Sequence, residues 1–278
     1  MTEKESHLAV NRATRTFDEQ AESFDQRAGL PAGVADSIVR EFLLLAQVGP
    51  GDVVLEVGAG TGQIGMALCQ HPLHYVGFDV SVAMLDLFRR RCSGNTRPVS
   101  LIEADGNSPW PADDGSVKAV LGSRVVHRLR TEHVAEEVFR VASPTGATLI
   151  LGRVLREKQS LRARIRREMR DRLRQLGYRN DEGHQKEREI MDVCVRRGAS
   201  PIAQRVVARW PVQCNAAQVL ASWREKRGLA GLEVPADVKE AVLSQLVVWA
   251  RDAFGSLEAI QSAEETYVLE GVRLFSKP

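Results

Sequence analysis

A run of aliphatic residues that ends in a cluster of glycines constrains this chain more than any other segment. Residues 53–65 read VVLEVGAGTGQIG, and the β-branched and aliphatic residues at the start of this segment predict a buried strand. Glycine leaves space where a ligand or another stretch of backbone must come close, and it adopts backbone conformations that other residues avoid. The segment therefore predicts a strand and a tight turn at which a ligand reaches the backbone.

Two cofactor patterns compete for these glycines. Residues 60–65 match G-x-G-x-x-G, which is typical of dinucleotide sites with a pyrophosphate at a helix N-terminus. Residues 58–62 match G-x-G-x-G, which is typical of S-adenosylmethionine (SAM) sites, and Glu56 precedes them. Only in the SAM register does the first glycine, Gly58, follow the strand directly. An acidic residue here also suits a cationic ligand better than a pyrophosphate, so the register favours SAM.

The pattern of strands and helices predicts the fold class. Five apolar strands alternate with helical segments, at 53–57, 74–79, 98–103, 117–122 and 147–153. This alternation indicates βαβ units and a parallel sheet whose carboxyl ends meet at one crevice. Further segments follow: helical sequence at about 155–198, a strand at 201–210, helices at 215–227 and 236–254, and the alternating strand ETYVLEGVRLFSK. We predict an α/β fold: a Rossmann-like, doubly wound, mostly parallel seven-stranded sheet with an antiparallel final strand and helical cap insertions.

Three segments are expected along the chain. Residues 1–154 are predicted to form a SAM-binding core with N-terminal lid helices. Residues 155–200 are predicted to form an arginine-rich helical cap insertion. Residues 201–278 are predicted to hold the last two strands of the core, with helices inserted at 213–262.

Two acidic residues at later strand ends complete the cofactor pattern. Asp79 closes the second strand, where a carboxylate accepts from the ribose hydroxyls of either cofactor. Asp105, followed by Gly106, comes just after the third strand, where it can accept from an adenine amine while the backbone meets the ring edge. Each residue alone is also an ordinary turn or capping residue. Their order at consecutive strand ends makes a nucleotide-like cofactor the better interpretation.

The chain resembles class I SAM-dependent methyltransferases, in particular small-molecule enzymes of the UbiE-like type. The matching segments are VLEVGAGTG (54–62), GFDVSVAML (77–85), IEADGNSPWPADDGSVKAVLGSRVVHRL (102–129) and EEVFRVASPTGATLILG (136–152). The segment FDEQAESFDQR (17–27) is also similar to the aromatic-containing lid of the family. The resemblance covers roughly residues 15–153.

The resemblance implies a set of cofactor contacts. Contacts to the amino-acid end of SAM are implied for Glu56, Gly58, Ala59, Gly60, Thr61 and Gly62. Asp79 would bind the ribose, and the adenine would lie near Val80, Met84, Ala104, Asp105 and Gly106. The backbone at Ser123 would face the methionyl group. Phe24 and Arg27 would close the pocket, although many relatives carry tyrosine where Phe24 stands.

Methyl transfer from a sulfonium mainly requires that the nucleophile, the methyl group and the sulfur are aligned and that water is excluded. A base is needed only where the nucleophile must lose a proton, and His127 in SRVVHRL is the candidate. A wall of the substrate pocket is the alternative role for this histidine. No metal is expected, because the histidines lack carboxylates at metal-ligand spacing and the four cysteines form no C-x-x-C pair.

An arginine-rich helix is predicted within residues 153–179. Its apolar residues recur every three or four positions, which predicts one buried stripe: Leu161, Ile165, Met169, Leu173 and Leu176. A solvated cap helix is the simplest interpretation of the surrounding arginines. They could also bind an acidic or carrier-bound substrate. Binding to tRNA or rRNA is a further alternative, but the segment carries no RNA-binding signature.

Composition limits the remaining classes of function. Lys and Arg number 38 and Asp and Glu 36, so the net charge of +2 does not describe a polycation. No apolar run is long enough to span a bilayer, and the N-terminus lacks a signal peptide pattern. We expect a cytoplasmic monomer or homodimer that methylates a small molecule and binds neither membrane nor nucleic acid. An RNA methyltransferase and a catalytically silent SAM-binding homologue are the alternatives.

Overall fold

The computed structural model describes residues 29–94, 96–179, 185–226 and 228–274. In chain order the elements are α1 Val34–Ala46, β1 Val53–Val57, α2 Gly65–Leu68, β2 His74–Asp79, α3 Val82–Arg91, β3 Val99–Glu103, β4 Ala119–Ser123, α4 Thr131–Val141, β5 Ala147–Arg156, α5 Leu161–Gln175, α6 Gln185–Arg196, β6 Ser200–Cys214, α7 Ala216–Arg224, α8 Ala236–Phe254 and β7 Gln261–Leu274. A short 3₁₀ turn covers Val126–Arg128 between β4 and α4. None of the described helices is long and apolar enough to cross a membrane.

The strands form one seven-stranded sheet in the order β3-β2-β1-β4-β5-β7-β6. The first five run parallel, with β1 between β2 and β4, and the last strands are antiparallel. The strand order reverses at β1 and β4, and open α/β sheets bind ligands in the crevice beyond such a reversal. The Rossmann-like, mostly parallel fold class is therefore confirmed, and it places the glycine turn after β1 at this crevice.

The chain divides into two compact units. The first contains the described residues of 29–153, 185–208 and 267–274. Its core is built from the inward faces of the sheet and helices such as α4, with Leu55, Phe78 and Val138 fully buried or nearly so. Parallel strands covered on both faces read as continuous apolar runs, which is why β1 is recognisable from its sequence.

The second unit contains the described residues of 154–179 and 209–266. Its core joins the apolar stripe of α5 to apolar residues of α7 and α8, including Trp223 and Leu246. Four members of the predicted stripe are buried: Leu161, Ile165, Met169 and Leu173. Leu176 is 54% exposed, because α5 ends one residue before it and the chain leaves the helical path.

Two expected helices differ from the structure. The helix expected after the glycines is a single turn, Gly65–Leu68, because Gly62 takes a positive φ of 84° that no helix continues. The helical region expected at 155–198 is two helices, α5 and α6, and β5 continues to Arg156 before α5 begins. Ile190 and Cys194 of α6 lie in the core of the first unit. The segment 155–200, expected as one cap, is thus shared between the two units.

Candidate functional site

The turn after β1 is held against β2 by backbone hydrogen bonds. Gly58 follows the last strand residue directly, and its amide donates to the Phe78 carbonyl at 2.9 Å; the Ala59 amide donates to the same oxygen at 3.0 Å. Gly58 has a φ of 71°, and a Cβ there would lie 2.5 Å from Cγ2 of Val125. Both observations exclude a side chain at this position.

The later glycines serve different purposes. A Cβ on Gly62 would lie 2.4 Å from the Phe88 ring, so this glycine allows the helix α3 to pack closely. A Cβ on Gly60 would have no atom nearer than the Met84 sulfur at 3.8 Å. A methyl group at Gly60 would therefore make only ordinary van der Waals contacts, so packing does not require glycine here as it does at Gly62; Thr61 beside it is buried.

Asp79 at the end of β2 fixes the turn through both carboxylate oxygens. Oδ2 accepts from the Gly60 amide at 2.9 Å, and Oδ1 accepts from the Ser81 amide at 2.9 Å. A carboxylate has about four acceptor positions, so further hydrogen bonds remain possible at each oxygen. The backbone oxygen of Asp79 accepts from the Ala104 amide at 3.1 Å, which brings the end of β3 to the same edge.

The turn after β3 has its own internal support. The Asp105 carboxylate accepts from the Asn107 amide at 3.0 Å, and the Gly106 carbonyl accepts from the Trp110 indole at 3.1 Å. A Cβ on Gly106 would lie 2.7 Å from a Leu129 methyl group. These two hydrogen bonds and the close packing at Gly106 fix the path of this loop at the crevice.

Glu56 is a buried carboxyl group with one strong partner. It is 3% exposed, and its Oε2 accepts from the Tyr75 hydroxyl at 2.5 Å. Burial raises the pKa of Glu56 to about 8, the negative charge of Asp79 adds to the shift, and Tyr75 and Arg124 oppose it. At neutral pH the folded chain thus holds Glu56 mainly protonated.

The edge beyond β4 contains a strained residue and a buried tyrosine. Arg124 has a φ of 58°, which is rare for a residue with a side chain. Its guanidinium donates to the Gln63 amide oxygen at 3.0 Å, which links this edge to the glycine turn. Ser123 lies 2.6 Å from the hydroxyl of Tyr267, a buried residue of β7. Burial raises the pKa of Tyr267 to about 12, so its hydroxyl stays protonated.

His127 lies in the 3₁₀ turn after β4 and is exposed. Its Nε2 accepts from the Arg128 guanidinium at 3.3 Å. The lone pair of this ring nitrogen is used in the hydrogen bond, so binding a proton at Nε2 would break the contact with Arg128. The role of His127 as a base stays a prediction.

The structure brings most of the expected site residues to one edge of the sheet. Val80 is half-buried and Met84 is buried at the start of α3, next to the end of β2. Phe24 and Arg27 lie outside the described residues. In the part of the chain that the structure describes, no cluster of three histidine, cysteine or acidic side chains could hold a metal ion. The four cysteines are free thiols.

Several residues of this edge escape sequence reasoning. Tyr75 and Tyr267 contact the expected site residues Glu56 and Ser123. Arg124 and Gln63 contact each other beside the glycine turn. The sequence patterns assign no role to any of these four residues. Directly paired residues of β1 and β2 lie 21 positions apart, and Tyr75 pairs with Val54, two residues before Glu56, so the Tyr75–Glu56 contact is a diagonal one between neighbouring strands. Strand pairing could therefore have suggested this contact.

Part of the first unit is similar to known proteins. Residues 54–146 match the methyltransferase domain family. A demethylmenaquinone methyltransferase of Clavibacter sepedonicus is 34% identical over 139 residues, which are 48% of this chain and 55% of that protein. A protein-L-isoaspartate O-methyltransferase of Methylorubrum extorquens is 29% identical over 51% of this chain and 70% of its own length. The match thus spans little more than half of the first of these relatives.

Solved structures share the fold. The YcgJ protein of Bacillus subtilis superimposes with a TM-score of 0.54 at 16% identity, over 86% of this chain and 97% of that one. The [4+2]-cyclase SpnF superimposes with a TM-score of 0.55 at 14% identity, over 94% and 96%. At this identity the likeness establishes the fold, which by itself does not determine a reaction.

Proposed function

We propose that this chain, whose residues 54–146 match the methyltransferase domain family, transfers a methyl group from SAM to a small molecule. The observation that carries the proposal is the arrangement of Asp79, which holds the Gly60 amide beside a turn that begins directly after β1. A carboxylate at the end of the second strand suits ribose hydroxyls. The glycine turn after β1 would hold the amino-acid end of the same cofactor.

The geometry of the turn supports SAM over a dinucleotide. The amide of Gly60 donates to Asp79 and that of Gly62 donates to the Ala59 carbonyl at 3.1 Å. The helix that follows begins only at Gly65 and is a single turn. A pyrophosphate relies on unpaired amides and the dipole at a helix N-terminus. In this chain the glycines precede that helix and their amides have other acceptors.

The residues that the resemblance implies as cofactor contacts keep those roles in the proposal. Asp79 would bind the ribose and Asp105 the adenine amine, while Met84 would border the adenine. Glu56 would act at the amino-acid end, where the positive ammonium group of SAM would lower the raised pKa of Glu56 and favour its ionised form. Phe24 and Arg27 would cover the cofactor from the N-terminal side.

The reaction is an in-line displacement. The nucleophile of the acceptor forms a bond to the methyl carbon, and the electrons of the breaking S–CH₃ bond go to the sulfur, which leaves S-adenosylhomocysteine. The protein has to align three atoms and to exclude water. Where the nucleophile carries a proton, His127 is the candidate to take it.

The acceptor is proposed as a class only. The relatives that match include enzymes named for demethylmenaquinone and for protein L-isoaspartate, and these acceptors differ in size and chemistry. We propose a metabolite, acidic or carrier-bound, which the chain methylates in the cytoplasm as a monomer or homodimer. The four free cysteines suit a reducing compartment.

Calorimetric titration tests the cofactor. We expect the full chain to bind SAM and S-adenosylhomocysteine and not NADH. Binding of NADH without binding of SAM would contradict the proposal. Incubation with methyl-labelled SAM and a metabolite extract then tests the activity through the labelled product. Binding without any S-adenosylhomocysteine formation across such extracts would instead identify a silent SAM-binding protein.

A further inference from the structure

The arginines of α5 fall into two groups. Those of the first group have partners: Arg172 pairs with Glu168 at 2.7 Å, Arg174 pairs with Asp171 at 2.7 Å, and Arg167 donates to the Lys158 carbonyl at 2.9 Å. Arg164 lies over the Phe254 ring, 4.6 Å from its centroid. These contacts account for about half of the arginines of α5, whose charges are compensated locally as on an ordinary solvated helix surface.

The second group consists of Arg162, Arg166 and Arg170. Their spacing of four residues places them along one face of α5. Within the ranges that the structure describes, none of the three has a carboxylate in ion-pair distance. The buried Nε of Arg170 also has no hydrogen-bond partner, as is true of the Nε of Arg172 in the first group. This face therefore concentrates positive charge that the described residues of the second unit do not neutralise.

The like charges on this face oppose one another. Loss of water around the guanidinium lowers the pKa of Arg166, and the positive charges of Arg170 and Arg156 lower it further. Repulsion between like charges destabilises a fold unless a counter-charge binds. The face thus has the electrostatic character of an anion-binding surface.

A depression of about 210 Å³ lies at one end of this face. It is bordered by Ser160 and Arg162 at the start of α5, by Arg156 at the end of β5, and by segments of β6 and β7. The start of a fifteen-residue helix adds partial positive charge.

Two carboxylates also border the depression, but each is already paired with an arginine side chain. Glu265 pairs with Arg156 at 2.7 Å, and Glu264 pairs with Arg209 at 3.4 Å. Their charges are thus compensated, while Arg162 has no carboxylate partner in the part of the chain that the structure describes.

We propose that the face formed by Arg162, Arg166 and Arg170, together with the depression beside Arg156, binds a phosphate or diphosphate group of a small ligand. Guanidinium groups match the geometry of phosphate oxygens and form strong charge-assisted hydrogen bonds with them. Pockets that enclose whole metabolites measure roughly 300–1,000 Å³. The depression is smaller and has the size of a head group.

A small phosphate ligand fits this surface better than RNA does. No aromatic residue occurs in α5, whereas surfaces that bind single-stranded RNA combine cations with aromatic side chains for base stacking. The paired arginines on the rest of the helix also limit the uncompensated charge to one narrow face.

The test uses the full chain, inorganic diphosphate as the probe and two double variants that remove the same charge. Arg166→Gln with Arg170→Gln changes the proposed face. Arg167→Gln with Arg174→Gln is the matched control, since Arg167 donates to the Lys158 carbonyl and Arg174 pairs with Asp171. Calorimetry gives the affinity for diphosphate, and thermal unfolding gives the stability with and without it.

We expect diphosphate to raise the melting temperature of the native chain and of the control. The affinity of the Arg166/Arg170 variant should fall by about tenfold or more, since charged hydrogen bonds are lost. This variant should also be at least as stable as the native chain when no anion is present, because repulsion is relieved. An equal loss of affinity in both variants would overturn the proposal, as would absence of diphosphate binding to the native chain.

A single-stranded RNA of twenty nucleotides provides the second probe. Binding of RNA that exceeds binding of diphosphate and weakens steeply with salt would replace the proposed small ligand with a nucleic acid. Titration of SAM into the same variants separates this proposal from the proposed methyl transfer. We expect SAM binding to be unchanged in both variants. A lack of diphosphate binding would not contradict the proposed methyl transfer, and a lack of SAM binding would not contradict the proposed phosphate site.

Discussion

The turn after β1 and the helix α5 differ in whether their polar groups have partners within the chain. In the turn, the amides of Gly58 and Gly60 have acceptors within the chain, and Asp79 accepts through both carboxylate oxygens. In α5, Arg166 and Arg170 carry charge without any described carboxylate as partner. The turn is thus organised before a ligand binds, whereas the helix face carries positive charge that an anionic ligand would neutralise. Pre-organisation and surplus charge are two different signs of a binding site.

The largest expected effect concerns Glu56 beneath the turn. The folded chain keeps this carboxyl protonated up to about pH 8, while its ordinary pKa is 4.5. The folded state therefore binds one proton more than the unfolded state between these values. This contribution to stability is complete below pH 4.5 and is lost as the pH rises through 8, by about 5 kcal/mol at most.

The variant Glu56→Gln tests this pH dependence, because it keeps an acceptor for Tyr75 and cannot ionise. Denaturant unfolding between pH 5 and pH 9 should show a smaller loss of stability for the variant than for the native chain. Glu103→Gln, which changes an exposed carboxylate of β3, is the control and should behave like the native chain. The same loss in all three proteins would show that Glu56 ionises without cost.

A second prediction addresses the close packing of the turn. Gly62→Ala adds a methyl group 2.4 Å from the Phe88 ring at a φ of 84°, and we expect a loss of about 3 kcal/mol. Gly94→Ala is the control, since nothing lies within 4 Å of its added Cβ. The two unfolding free energies should differ clearly. Equal values would mean that α3 moves freely away from the turn.

A third prediction concerns the affinity for SAM. Asp79→Asn keeps the size of the side chain but removes its charge and one acceptor oxygen, so we expect binding weaker by about 1–2 kcal/mol. Asp86→Asn makes the same change in the next helix, where the carboxylate pairs with Arg89 on the surface. Calorimetric titration compares both with the native chain. Equal affinities in all three proteins would remove Asp79 from the proposed site.

The sequence predicts much of the fold because strand burial and strand-end chemistry are local. β1 and β2 have the predicted bounds, and the turn glycines follow β1 in the register that the sequence favours. The contact between Glu56 and Tyr75 depends on strand pairing, and that between Ser123 and Tyr267 joins residues 144 positions apart. Such contacts are determined by topology, so single-residue patterns do not reveal them.

The arginine helix shows the same limit. Its apolar period predicts the buried stripe, because burial of every third or fourth residue is a property of the helix alone. Which arginines find carboxylates depends on side-chain reach and on other elements, such as the pairing of Arg224 on α7 with Glu240 on α8. The unpaired face of α5 is visible only in the structure.

The smallest expected effect compares the two groups of arginines directly. Asp171→Asn removes the partner of Arg174, and this exposed pair should contribute less than about 0.5 kcal/mol to stability. Arg166→Gln removes one of three like charges, so a small gain of similar size is expected in the absence of anions. The opposite signs, measured by urea unfolding at low salt, distinguish a paired arginine from one that awaits a counter-ion. Both differences should shrink at high salt, because screening weakens attraction and repulsion alike. A loss of stability in Arg166→Gln would mean that Arg166 already has a stabilising partner, and the binding face would then be reduced to Arg162 and Arg170.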